Sequence, residues 1–114
     1  MKIALFVFNG DPMCFIHVLL NALDMHARNH ECGIVVEGSA TRLIPELADP
    51  DHPLNKLWEK TKAAGLVAGA CRACSQKMGT LAAVQEQGLT LLDEMNGHPS
   101  MAQYRSEGYE IITF

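Results

Sequence analysis

Short apolar segments alternate with amphipathic segments along the whole chain. Residues 3–8 are a continuous apolar run, which is typical of a strand covered on both faces of a parallel sheet. Turn residues at positions 9–12 then end this run. Four more strands are predicted at residues 32–37, 66–70, 89–92 and 109–114.

Helices are predicted between these strands. Asp11 can cap the first helix with Pro12 at its first position, and apolar residues near helical spacing extend it to about Asn29. Gly65 lies where a glycine commonly ends a helix, after an apolar stripe over residues 54–64. Other helices are predicted to begin at Ser39, to run over 73–79 with a bent continuation to 88, and to cover 99–107.

The alternation of strands and helices predicts an α/β fold, with a mostly parallel five-stranded sheet and helices on both of its faces. The 114 residues fit a single domain that spans residues 1–114. Hydrophobic residues make up 48% of the chain, which is enough to build a sizeable core without covalent cross-links.

Charge and hydropathy argue against two classes of partner. The net charge is −4 and there is no run of lysines or arginines, so a nucleic-acid partner is disfavoured. The first apolar run is too short for the core of a signal peptide and for a membrane span. We therefore expect a cytoplasmic protein with no membrane partner.

The chain has four cysteines, Cys14, Cys32, Cys71 and Cys74. Without a secretory signal a disulfide framework is not expected, so the Cys71-x-x-Cys74 pair indicates redox, sulfur-handling or metal-binding chemistry. Cys71 follows the third predicted strand directly and Cys74 lies at the start of the next helix. The helix start and the nearby Arg72 are expected to favour a thiolate, the form that attacks disulfides or accepts sulfane sulfur. The alternative is that both cysteines are small buried hydrophobic residues.

Three other side chains are expected near the same carboxyl edge of the sheet. Cys14 would approach Cys71 as a resolving thiol or metal ligand if the first and third strands were neighbours, and otherwise packs on its helix. His17 is a candidate base or polarising group beside Cys71, or an ordinary helix histidine. Glu37 ends the second strand and either binds a ligand in the crevice or caps the helix that begins at Ser39.

No metal and no cofactor are expected within one chain. Structural zinc sites usually need two ligand pairs, whereas this sequence has one cysteine pair and no histidine pair at ligand spacing. This reasoning does not apply to a metal site shared between subunits. Glycine-rich phosphate-binding patterns are absent. The remaining candidates are assigned elsewhere: Cys32 to the core, and His26, His30, His52 and His98 to the surface or to helix caps.

Several segments together resemble one protein family. They are residues 2–8, the Ile34-Val35-Val36-Glu37-Gly38 strand end, the Gly69-Ala70-Cys71-Arg72-Ala73-Cys74 segment ahead of Met78-Gly79-Thr80, and residues 101–114. In this order and spacing they look like the DsrE/DsrF-like family, and the resemblance covers essentially the whole chain. It implies a three-layer α/β/α fold and assembly into homo-oligomers, often trimers or hexamers.

The resemblance also implies kinship with sulfur-relay proteins, which carry sulfur as a persulfide on one cysteine. Cys71 best matches that carrier cysteine, and Cys74 resembles a second cysteine of some uncharacterised members. The pairing of two cysteines departs from the dedicated relay subunits, and the sequence shows no sign of a specific heteromeric partner.

Three hypotheses for the function follow. In the first, a sulfur-transfer or thiol-redox protein uses Cys71 to attack or accept sulfur, and Cys74 is the resolving thiol. A sulfur donor or acceptor protein is its partner. Whether such a protein is an enzyme or a carrier stays open. In the second, a non-enzymatic oligomeric module binds a small ligand or a metal in the crevice. In the third, an accessory subunit acts through its surface.

Overall fold

A parallel sheet forms the centre of the computed structural model, which describes residues 1–114. Its strands are β1 (Lys2–Val7), β2 (Glu31–Val36), β3 (Val67–Cys71), β4 (Leu91–Leu92) and β5 (Tyr109–Thr113). They lie in the order β4-β3-β2-β1-β5, and every neighbouring pair is parallel. All carboxyl ends therefore meet at one edge of the sheet, which is where such folds place their ligands.

The helices are α1 (Pro12–Ala27), α2 (Leu43–Leu47), α3 (Asn55–Ala63), α4 (Arg72–Lys77), α5 (Leu81–Glu86) and α6 (Met101–Ser106), with a 3₁₀ helix at Gly38–Arg42. Asp11 caps α1 as predicted, because its Oδ1 accepts a hydrogen bond of 2.8 Å from the Met13 N–H. The predicted bent helix after β3 is instead two helices. Gly79 lies between them in a left-handed backbone conformation (φ +73°), which ends a right-handed helix.

The two faces of the sheet are covered unequally. Alternate residues of β1 point to opposite faces, so Leu5 joins a large core with α1 and α3, while Phe6 joins a small cluster on the other side. Phe15 and Trp58 pack in the large core with ring centroids 6.0 Å apart. On the other face Phe6 meets the edge of the Tyr104 ring of α6, at 5.4 Å. The architecture is the predicted three-layer α/β/α fold, with α6 alone as the outer layer on one side.

The pairing of β3 with β4 depends on a close backbone approach. The Ala70 N–H donates to the Thr90 carbonyl at 2.9 Å. A Cβ at Gly69 would lie 2.4 Å from that same carbonyl oxygen, so only glycine fits there. This contact holds the beginning of β4 against β3, and β4 then leads into the loop at the carboxyl edge of the sheet.

The longest helix, α1, has 16 residues. None of the helices combines the length and the apolar character that crossing a membrane requires.

Candidate functional site

Four side chains converge where β2, β3 and β4 end. The donor atoms of Glu37, Cys71, Cys74 and His98 all lie within 4.8 Å of one another, and we call this group the carboxyl-edge cluster. Glu37 directly follows β2, the two cysteines come from the end of β3 and the first turn of α4, and His98 comes from the loop after β4. Three separate connections of the sheet therefore supply one site.

The two sulfur atoms differ in their access to solvent. Cys71 caps α4, and its Sγ accepts a hydrogen bond of 3.2 Å from the Cys74 N–H. This arrangement follows from the spacing, because a helix-capping side chain accepts from a backbone N–H of the first turn. Cys71 is 0% exposed. Cys74, one helical turn further on, is partly exposed, so it is the more accessible cysteine of the pair.

His98 lies against both cysteines. Its Nδ1 is 3.2 Å from the Cys71 Sγ and 3.7 Å from the Cys74 Sγ. The loop is held in place from both sides: the Ala73 N–H donates to the Gly97 carbonyl at 2.9 Å, and backbone hydrogen bonds of 2.8 and 2.9 Å join Met95 to His98. The imidazole is therefore fixed by the backbone within reach of two thiols.

Glu37 is a buried carboxyl group that faces the thiols. Its backbone N–H extends the pairing of β2 with β1 by donating to the Val7 carbonyl at 2.8 Å. The side chain is 7% exposed and makes no hydrogen bond to the following 3₁₀ helix. Burial, and next the negative charge of Glu94, raise the pKa of this carboxyl group to about 7. Glu37 precedes the 3₁₀ helix without capping it through its side chain and lies beside the cleft, and its binding of a ligand stays a prediction.

The expectation of an ionised and reachable Cys71 is wrong. Burial raises the pKa of its thiol to about 12, and the neighbouring Cys74 thiol and Glu37 raise the pKa further. The N–H donated by Cys74 acts in the opposite direction but does not offset the burial. We therefore expect Cys71, which is 0% exposed, to remain a protonated thiol at neutral pH.

Arg72 lies beside the cluster but is paired elsewhere. Its Nε donates to the Asp93 Oδ2 at 3.0 Å, and both side chains are about half exposed, at 46% and 53%. The ion pair joins the start of α4 to the loop after β4. Assistance from Arg72 to a thiolate stays a prediction.

Cys14 and His17 are not brought into the cluster. The strand order places β2 between β1 and β3, so the adjacency on which a contact between Cys14 and Cys71 depended does not occur. Cys14 is partly exposed on α1. His17 is exposed, and its backbone carbonyl accepts a helix-surface hydrogen bond of 2.7 Å from Asn21. Cys32 lies in the core as predicted, at 8% exposed.

His98 is the residue that the sequence reasoning missed. It was assigned to the surface or to a helix cap, whereas the structure places its ring against Cys71. The signal was present: residues 93–98 follow a predicted parallel strand, so they leave the sheet at the same edge as Cys71. Because His98 has no second histidine or cysteine at ligand spacing, its own segment gave no further sign of this role.

A shallow cleft borders the cluster at Glu37. It has a volume of about 320 Å³ and is lined by Glu37 together with Phe8, Met95, Pro99, Ser100, Met101 and Ala102. A larger cavity of about 440 Å³ lies at the opposite, amino edge of the sheet and is lined by His26, His30 and Cys32, among others. We place the site at the carboxyl-edge cluster, beside the smaller cleft, because the reactive groups converge there.

Comparison with protein families agrees with this architecture. The family model described as DsrE/DsrF-like matches residues 2–114. The chain belongs to the DsrE/DsrF-like family. The resemblance seen in the sequence is thereby confirmed, and this DsrE-like chain carries a cysteine pair at the carboxyl edge of its sheet.

Two proteins of similar sequence and one solved structure of similar fold can be compared with this DsrE-like chain. An uncharacterized protein of Methanocaldococcus jannaschii is 29% identical, over 98% of this chain and 94% of its own length. An uncharacterized protein of Archaeoglobus fulgidus is 41% identical over 39% of this chain and 70% of its own length. The solved structure of a conserved protein of unknown function from Bacteroides thetaiotaomicron has the same fold, with a TM-score of 0.67, 16% identity, and coverage of 97% of this chain and 94% of that one.

Proposed function

We propose that this DsrE-like protein is a sulfur carrier or thiol-redox protein in which Cys74 is the first acceptor and Cys71 is the second thiol. The observation that carries the proposal is the unequal access of two adjacent sulfurs, since Cys71 is 0% exposed and Cys74 is partly exposed. Membership in the DsrE/DsrF-like family supports a role of the sulfur-relay type. This order reverses the roles expected from the sequence.

The first step moves one sulfur atom without net oxidation. The Cys74 thiol loses its proton, for which the His98 Nδ1 at 3.7 Å is the neighbouring acceptor. The resulting thiolate attacks the outer sulfur of a donor persulfide, R–S–SH, and the bond between the two donor sulfurs breaks. The donor leaves as a thiol, and Cys74 becomes a persulfide.

Two fates are open to that persulfide. A thiolate of an acceptor protein can attack its outer sulfur, which regenerates the Cys74 thiol and completes the transfer. Alternatively, Cys71 attacks the Cys74 Sγ, hydrogen sulfide leaves, and the two cysteines form a disulfide that an external dithiol must reduce. Burial keeps Cys71 protonated, so the first fate is favoured while an acceptor is present.

Mass spectrometry of the sulfur-loaded protein tests the proposal. The reduced chain, freed of metal with a chelator, is treated with a low-molecular-weight persulfide and mapped by peptide. We expect one added sulfur atom on Cys74, faster alkylation of Cys74 than of Cys71 by about tenfold or more, and no added sulfur in Cys74→Ser. Cys14→Ser is the matched control, because Cys14 is also partly exposed but lies outside the cluster.

Two results would contradict the proposal. One is equal sulfur loading of Cys14 and Cys74, which would mean that the cluster confers no preference. The other is undiminished loading of Cys74→Ser through Cys71, which would return the carrier role to the buried thiol.

Assembly and partners belong to the same proposal. We expect several copies of the chain, three or six, to associate, and a thiol protein to donate or accept the sulfur. Three apolar side chains beside the cleft support a covering partner: Phe8, Met95 and Met101 are 39%, 52% and 36% exposed. Light scattering coupled to gel filtration measures the number of copies, and a monomer at micromolar concentration would contradict this part.

A further inference from the structure

The carboxyl-edge cluster offers two sulfurs, one imidazole nitrogen and one carboxylate oxygen. Thiolate, imidazole and carboxylate are the three ligand types that Zn²⁺ takes in proteins, usually four at a time and in a tetrahedron. We propose that the reduced carboxyl-edge cluster is a binding site for one Zn²⁺ ion. This inference goes beyond the proposed sulfur chemistry and does not depend on it.

The spacing of the donor atoms matches such an ion. In a tetrahedral site with ordinary Zn–S and Zn–N bond lengths, a sulfur and a nitrogen ligand lie about 3.5 Å apart. The His98 Nδ1 is 3.2 Å from one sulfur and 3.7 Å from the other. The remaining donor pairs also lie within 4.8 Å, so small side-chain adjustments place all four atoms around a common centre.

Backbone contacts already orient the ligands. The N–H of Cys74 donates to the Cys71 Sγ at 3.2 Å, which offsets part of the negative charge that a metal-bound thiolate carries. The hydrogen bond of 2.9 Å between the Ala73 N–H and the Gly97 carbonyl ties the helix of the cysteines to the loop of His98. The ligand set is therefore held together by the backbone before any ion enters.

Glu37 presents an unpaired carboxyl group to the cluster. Its carboxyl group is 7% exposed, and none of the side-chain hydrogen bonds or ion pairs of the structure involves it. The charged form of such a largely buried carboxyl group is costly unless a donor or a cation faces it. A divalent ion in the cluster supplies that partner, and the cleft of about 320 Å³ that Glu37 lines supplies an entry path.

The experiment uses Co²⁺ as a spectroscopic substitute for Zn²⁺. The full chain is reduced, stripped with a chelator and titrated with Co²⁺, then with Zn²⁺ in competition. We expect one ion per chain, thiolate-to-cobalt charge-transfer absorption with the d–d bands of a tetrahedral site, and their loss when Zn²⁺ is added. Bound Zn²⁺ should also slow the alkylation of Cys74 by about tenfold or more.

Variants identify the ligands. Cys74→Ser and His98→Gln, neither of them at a fully buried position, should weaken Co²⁺ binding about 100-fold or more, and Glu37→Gln about 10-fold. Cys14→Ser and His17→Gln are controls and should bind like the wild type. Circular dichroism confirms that each variant is folded.

Three results would overturn the zinc site: the absence of stoichiometric binding to the reduced chain, thiolate absorption that persists in Cys74→Ser, or equal weakening by Cys14→Ser. Sulfur loading is measured separately on chelated protein. A chain that accepts sulfur but binds no metal would refute the zinc site alone, and one that binds metal but accepts no sulfur would refute the carrier alone.

Discussion

The two edges of the sheet carry the same kinds of side chain but arrange them differently. The amino edge has Cys32, Glu31 and His30 beside the larger cavity, whereas the carboxyl edge has two cysteines, Glu37 and His98 beside the smaller cleft. Reactive groups converge only at the carboxyl edge.

Local geometry explains the difference. Glu31 and Cys32 are successive residues of β2, so their side chains point to opposite faces of the sheet. Cys71 and Cys74 are three residues apart at the start of α4, where that spacing puts both on one side of the helix. Chemistry in this fold therefore depends less on which residues are present than on whether a strand or a helix start carries them.

Matched glycine substitutions near the two edges should give the largest difference in the free energy of unfolding. Gly69→Ala places a Cβ 2.4 Å from the Thr90 carbonyl oxygen and 2.9 Å from the Leu92 Cγ. We expect the free energy of unfolding to fall by about 3 kcal/mol, because the backbone of β4 must move. Gly65→Ala, at the amino edge, has no atom within 4 Å of its Cβ and only its positive φ to oppose it, so we expect a loss of about 1 kcal/mol.

Urea unfolding of both variants, in the presence of a chelator, measures these losses. Equal losses would mean that the tight approach of β4 to β3 contributes nothing beyond backbone conformation. The carboxyl edge would then tolerate an added methyl group as well as the amino edge does.

The next largest effect should be a change in the pH dependence of stability when Glu37, at the carboxyl edge, is replaced. Burial raises the pKa of Glu37 from 4.5 to about 7, so the folded chain holds this proton more tightly than the unfolded chain. The stability that Glu37 contributes is complete below the unfolded pKa and is lost as pH rises through the folded value. In metal-free protein, Glu37→Gln should therefore gain stability relative to the wild type between about pH 5 and pH 8, on the order of 2 kcal/mol.

Urea unfolding of the same proteins at several pH values measures this gain. Glu31→Gln is the control from the amino edge, because Glu31 is exposed. A constant difference for Glu37→Gln across the range would refute the claim that burial and Glu94 hold the proton on Glu37.

The smallest effects should come from the two exposed ion pairs. Arg72 pairs with Asp93 at the carboxyl edge and Arg28 pairs with Asp24 near the amino edge, at 3.0 and 3.1 Å. Arg72→Ala and Arg28→Ala should each cost about 0.5 kcal/mol, because solvent screens such pairs. Arg72→Ala should also leave the alkylation rate of Cys74 near that of the wild type. A fall of about tenfold or more would show instead that Arg72 assists the thiol.

Much of the fold could be predicted from the sequence because the signals are local. The apolar run at residues 3–8, the Asp11-Pro12 helix start and the glycine stop at Gly65 all correspond to observed element boundaries within two residues. The division of the predicted bent helix at Gly79 was missed, because the sequence does not show whether a glycine within a helical pattern adopts a positive φ.

The site was predicted only in part. The cysteine pair and Glu37 could be placed at the carboxyl edge, because each directly follows a strand. The contact of His98 with the cysteines could not be predicted from ligand spacing, since His98 lies 24 positions after Cys74 in the chain. The burial of Cys71 was also missed, because a strand end can be open or covered depending on the loop that packs over it.

The sequence by itself determined the order of strands and helices, the parallel sheet and the helix start that holds the cysteine pair, because these follow from periodicity and from residues adjacent in the chain. Tertiary structure alone decided which sulfur is reachable and which distant side chains face it. Burial and convergence are properties of loops that meet in space. The strand order β4-β3-β2-β1-β5 brings these loops together, and no single segment of the sequence predicts that order.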